Sequence, residues 1–249
     1  VKIKIIWGII QHKYIIKNSI SKRVLYMTTL YHYPLCPFSR KIRLLLRERN
    51  IDPDLITEAF WQKRKEFIKT NPSGDVPVLI IKKRKICGHY AITEFLEEKY
   101  GSTFPKDIDE KNECRRIMDW FDNKFYTEVL KIILHEKIER QFLNVEHGGG
   151  LPRLDRIKIG IHNLNYHLKY IETVLNDRYC LVAENINNAD LTAAAHLSCL
   201  DYLGDIPWKR YPRVKEWYAK IKSRPSFRSL LTDQIMSIPP RGKYVALDF

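Results

Sequence analysis

Cys36-Pro37-Phe38-Ser39 holds the side chains most able to do chemistry in this 249-residue chain. A thiol at the mouth of a helix faces the partial positive charge of the helix N-terminus, which favours the thiolate. Arg40 and Lys41 add to that field. A thiolate at Cys36 attacks a disulfide or forms a mixed disulfide. Ser39 stands where a dithiol site places its resolving cysteine, so redox chemistry here is expected to be monothiol. Ser39 can instead hydrogen-bond a bound thiolate. The competing reading is a plain strand-to-helix turn with Cys36 half-buried and inert.

The elements around this turn follow from periodicity and punctuation. Thr28–Tyr33 alternates and is β-rich, and Ser39–Glu48 has the spacing of an amphipathic helix. A strand over Asp54–Thr57, a short helix over Lys63–Lys69, strands over Val76–Ile81 and Lys85–Cys87, and a helix over Ala91–Tyr100 come next. The tight link between the last two strands predicts an antiparallel hairpin. The order is β-α-β-α-β-β-α, which is thioredoxin-like. Beyond Asp107 no strand signal recurs. Glu113–Glu139 and Arg153–Asn176 read as long helices, separated by Gly148-Gly149-Gly150. Asn187 and Asp190 form a capping pattern, with Ile186 placed to staple onto Leu191, before a small-residue helix suited to a buried central position. Pro212–Lys222 and Pro225–Leu231 each begin with proline in the first turn. The chain therefore divides into an α/β domain over 27–105, an all-α domain over 106–236 and an extended tail over 237–249.

Residues 1–26 contribute six of the +14 net charge and contain no acid. They are read as translated upstream sequence with Met27 as the start; the rival is a membrane-surface or organellar leader. The basic balance suits anionic partners, although solvated lysines are the simpler account, and the Lys82–Lys85 tip reads as a solvated turn rather than a nucleic-acid contact. No stretch reaches the roughly 20 apolar residues of a spanning helix, so no membrane insertion is expected. The five cysteines have neither metal-ligand nor CxxC spacing, which argues for reduced cytoplasmic thiols and against a zinc site. His162 and His167 fall on different helix faces. His89 alone is more readily structural than acid-base. Trp120, Phe121, Phe125 and Tyr126 either line a pocket for an apolar electrophile or belong to the core or a subunit contact.

These segments together resemble the glutathione S-transferase superfamily. Cys36 to Arg43 is similar to its active-site turn, Asn71 to Leu79 to its cis-proline segment, and Asn187 to Leu191 to its helix-capping box. The resemblance implies a dimer and a glutathione site. Cys36 or Ser39 would serve the thiol, Val76 ahead of a cis Pro77 would pair with the tripeptide backbone, and the helix opening at Gly88 would take its carboxylate. Where family enzymes have an acid or Gln followed by Ser, this chain has His89-Tyr90. Two large rings are expected to fill that pocket, and the lost contacts imply weak or absent glutathione binding. Met118 to Phe125, Leu191 to Gly204, Lys222 to Phe227 and the end from Tyr244 through Leu247, Asp248 and Phe249 resemble a division-associated branch of the superfamily. That likeness implies binding to FtsZ filaments through those four tail residues, without glutathione chemistry.

Overall fold

The computed structural model describes residues 28–235, 237–242 and 244–247. The readings made for residues 1–26, Asp248 and Phe249 lie outside the described residues.

Strands β1 (Thr28–His32), β2 (Asp54–Thr57), β3 (Val78–Ile81) and β4 (Arg84–Cys87) form one sheet in the order β2-β1-β3-β4. β1 runs parallel to β2 and antiparallel to β3, and β3 and β4 make the expected hairpin. Helices α1 (Pro37–Glu48), α2 (Lys65–Thr70) and α3 (His89–Tyr100) complete the α/β layer. The β-α-β-α-β-β-α order stands as read.

The second half is helical among the described residues: α4 (Ile108–Asp119), a π-helical stretch (Trp120–Leu130), α5 (Lys131–Lys137), α6 (Leu154–Val174), α7 (Asn188–Leu203), α8 (Pro212–Lys222) and the short α9 (Arg228–Leu231). The first of these begins five residues earlier than the periodicity suggests. Asp107 caps it, accepting from the amides of Asp109 and Glu110 at 3.0 Å each, and this first turn is too exposed to show an apolar period. The segment read as one helix from Pro225 is split into a 3-10 turn, Pro225–Phe227, and α9.

α7 is the axis of the molecule. Every residue from Asn188 to Leu203 is buried, and Ala193, Ala194 and Ala195 let α1 approach closely. Its capping box is complete: the Asn187 side chain accepts from the Ala189 amide at 2.9 Å, and Asp190 accepts from the Asn187 amide at 3.1 Å. Gly204 ends the helix at φ 71°, and a Cβ there would stand 3.2 Å from the Cβ of Arg241 in the tail. Polar bonds tie α1 to the helical half. Arg43 meets Asp233 at 2.9 Å, Glu48 accepts from Arg224 at 2.8 Å, and Lys41 pairs with Asp122.

Candidate functional site

α1 begins at Pro37, and Cys36 is its cap. The Cys36 Sγ accepts from the Ser39 amide at 3.4 Å and faces the Val76 carbonyl at 3.8 Å. The bond from Val76 to Pro77 is cis. Sequence spacing therefore assembles the corner correctly: Cys36, Ser39, Val76 and Pro77 come together at one end of β3.

The chemistry expected of that corner is not what its surroundings favour. Cys36 is 7% exposed, Val76 6% and Ser39 fully buried. Burial raises the Cys36 thiol above its ordinary value, and the hydrogen bonds from Ser39 and Phe38 do not outweigh it. Burial therefore works against the activated thiolate that the helix N-terminus was expected to favour. Arg40 and Lys41, expected to strengthen the field at the thiol, spend their charge on partners in the helical half. Ser39 turns its hydroxyl to the Tyr33 amide, accepting at 3.4 Å.

A cleft remains beside Cys36, lined by Tyr33, Phe60, Trp61, Tyr126, Leu134 and Glu139 among others, and its cavity volume is about 30 Å³. Pockets for small molecules are usually about 300–1,000 Å³. Aromatic rings narrow it. Trp61 meets Tyr33 edge-on with centroids 4.7 Å apart and stacks on Phe142 at 5.9 Å. Of the four aromatics read from the long helix, Phe121 and Phe125 are core, Tyr126 lines the cleft, and Trp120 stacks on Tyr170.

His89 and Tyr90 part company. Gly88 caps α3, so these are its first two residues. Tyr90 is 73% exposed, which corrects the expectation that two rings fill the carboxylate pocket. Only His89 turns inward. It stacks on Phe38 with centroids 4.4 Å apart, and its Nδ1 lies 3.5 Å from Asp122. Lys41 pairs with the same carboxylate, and His196 Nε2 stands 3.7 Å from it. Burial alone would raise the Asp122 carboxyl, but Lys41, His196 and His89 hold it below its usual range. Burial pushes His196 down to about 4 and holds His89 below its ordinary value. The position that family enzymes give to a ligand contact thus belongs to an internal polar cluster. Sequence reasoning gave Asp122 no role and set Lys41 toward the thiol, although a lysine among Ile42, Leu44, Leu45 and Leu46 already carried the sign of a buried charge seeking a partner.

The profile of the glutathione S-transferase N-terminal domain matches residues 30–104, and that of the C-terminal domain matches residues 158–233. FtsZ-localized protein A of Caulobacter vibrioides is 42% identical over 229 residues, covering 89% of this chain and 98% of that protein. The chain belongs to the glutathione S-transferase superfamily. Solved structures agree with this transferase fold. The structure titled FzlA from C. crescentus superposes with a TM-score of 0.84 at 41% identity, covering 89% of this chain and 99% of that one. A glutathione S-transferase from Rhodospirillum rubrum gives 0.84 at 40% identity, with 90% and 100% covered.

Two of the four tail residues grouped as partner-facing, Tyr244 and Leu247, are described. Tyr244, grouped with the partner-facing end, is 1% exposed. Its hydroxyl accepts from Arg40 at 3.1 Å and donates to the Leu230 carbonyl at 2.9 Å. Leu247, of the same group, is 50% exposed, and Val245 is 61% exposed.

Proposed function

We propose that this chain acts as a cytoplasmic, homodimeric, FtsZ-binding cell-division factor with weak or no glutathione chemistry. The observation that carries the reading is the 42% identity to FtsZ-localized protein A across 98% of that protein's length. The tail meets the filament through Val245, Leu247, Asp248 and Phe249, and Tyr244 takes no direct part. Weak glutathione binding is supported by the cleft of about 30 Å³, by the protonated, buried thiol of Cys36 and by His89 being held by Phe38 and Asp122. Ser39 and Val76, which would complete a glutathione site, are buried beside that thiol. Dimerisation has support in α6, where Ile159 and Tyr166, two turns apart on one face, are 46% and 62% exposed. No described helix is long and apolar enough to cross a membrane.

Cosedimentation with polymerised FtsZ tests the partner. The full chain pellets with filaments, and a chain ending at Tyr244 does not. Pelleting no greater than in the absence of FtsZ removes the reading. Melting with millimolar glutathione tests the chemistry, with no upward shift expected. A clear rise would favour an active glutathione-dependent transferase, isomerase or thiol reductase using Cys36 or Ser39.

A further inference from the structure

Tyr244 occupies a built receptor inside the protein's own fold. Arg40 lies 5.8 Å from the centre of its ring and the ammonium of Lys222 5.3 Å, so the π-face meets two buried cations. Tyr202 packs edge-on at 5.1 Å. The hydroxyl is satisfied as acceptor and donor by Arg40 and Leu230. Both cations are fixed from behind. Arg40 also donates to Ser198 at 2.8 Å and to Asp233 at 3.2 Å, and Lys222 donates to Asp201 at 2.9 Å. Upstream, Tyr202 holds the same strand of tail: its hydroxyl donates to the Ile238 carbonyl at 2.7 Å, and its own carbonyl accepts from the Arg241 amide at 2.9 Å. Immediately past the last anchor, Val245 and Leu247 are open to solvent.

We propose that Tyr244 is a positioning residue for filament binding: the socket of Arg40, Lys222 and Tyr202 grips it so that Val245 and Leu247 are presented in a fixed place to an apolar site on the partner. This rests on the FtsZ reading given above. A tail fixed at its root loses less conformational freedom on binding than a free one, and the saving appears as affinity. The tail sequence alone is therefore a poor ligand, and a residue that never touches the partner governs the affinity.

The test compares the full chain, Tyr244→Ala, Tyr244→Phe, Leu247→Asp and a synthetic peptide of residues 242–249, all by cosedimentation with polymerised FtsZ. Hydrogen exchange at Ile238 and Arg241, whose amides donate to the Ile235 and Tyr202 carbonyls, reports whether the tail is held. Leu247→Asp is expected to lose tenfold or more in affinity with unchanged melting and unchanged exchange. Tyr244→Ala is expected to lose as much while exchange in the tail accelerates. Tyr244→Phe keeps the ring between its cations and is expected to stay within threefold. The free peptide is expected to bind at least a hundredfold more weakly than the chain. A folded Tyr244→Ala variant that pellets within twofold of the unaltered chain overturns the proposal. So does a free peptide that binds as tightly as the chain, a result that does not depend on how well the variant folds. If the unaltered chain itself fails to pellet, the filament reading falls and this inference with it; if it pellets and only the Tyr244 comparison fails, the filament reading survives.

Discussion

The two ends of one turn of α1 have been put to opposite uses. At Cys36 and Ser39, polar groups are closed in by Tyr33, Trp61 and Val76, and burial pushes the thiol up from its ordinary value. One residue further on, Arg40 is buried just as deeply, yet it is fully engaged with Pro34, Ser198, Asp233 and Tyr244. The first environment removes reactivity and the second organises structure. Burial by itself therefore says little about importance. What separates the two is the strength of the partners across the fold: Cys36 faces the Val76 carbonyl at a weak 3.8 Å, whereas Arg40 donates to Ser198, Asp233 and Tyr244 at 2.8–3.2 Å.

The largest effect should come from the engaged side. Asp233 is shared by Arg40 and Arg43, all three being at least nine-tenths buried at the side chain. Asp233→Ala leaves two guanidinium groups short of their anion and should cost about 3–5 kcal/mol in urea unfolding. A loss below about 1 kcal/mol would mean that the engaged half of the helix is no more structural than the closed half.

The next effect is a pH dependence in the cluster behind the closed corner. His196 is pushed down to about 4 by burial, and an unfolded histidine titrates near 6.5. Between those values the unfolded chain binds the extra proton, so stability falls as pH falls. The slope is about 1.4 kcal/mol per pH unit from this group, levelling off below about pH 4. His196→Gln should flatten the acid limb of a stability-versus-pH curve by roughly that slope. An unchanged limb would show that Asp122 and Lys41 do not depend on a neutral ring beside them.

Smaller again is the thiol. Cys36→Ala removes the acceptor for the Ser39 amide and should cost about 1 kcal/mol. Iodoacetamide should modify Cys36 in the native protein far more slowly than in urea, with no rate plateau near neutral pH. A fast native reaction at pH 7 would restore the activated thiolate. The smallest effect is expected at Tyr90. It is exposed, so Tyr90→Ser, the residue type of family enzymes, should change stability by less than about 0.5 kcal/mol. It should also fail to create retention on immobilised glutathione, because His89 and the narrow cleft remain.

The parts of this arrangement that sequence could reveal are those set by local rules. Strand alternation, the Asn187–Asp190 capping box and proline at the start of α8 each act within a few residues, and each lies where spacing puts it. The corner of Cys36 and Val76 was legible too, because a strand-to-helix turn and a proline bend are both short signals. What spacing could not show is which partner a side chain finds across the fold. Arg40 reaches Tyr244 over more than two hundred residues of chain. His89 and Tyr90 are adjacent in sequence, yet only the first faces inward, since neighbours on a helix point about 100° apart. The π-helical stretch from Trp120 is not legible in the sequence either, because its wider turns shift side chains off the 3.6-residue period of an α-helix.

Gly204 places the end of α7 against the path of the tail, with its would-be Cβ 3.2 Å from Arg241. Adding one carbon at that bend would strain the left-handed backbone and press on a tail segment that lies nearly forty residues downstream. The path of the tail past Arg241 can thus be retuned by a change far from it in sequence. Lineages with identical tails could differ in how those tails are offered, and sequence comparison confined to the terminus would overlook the cause.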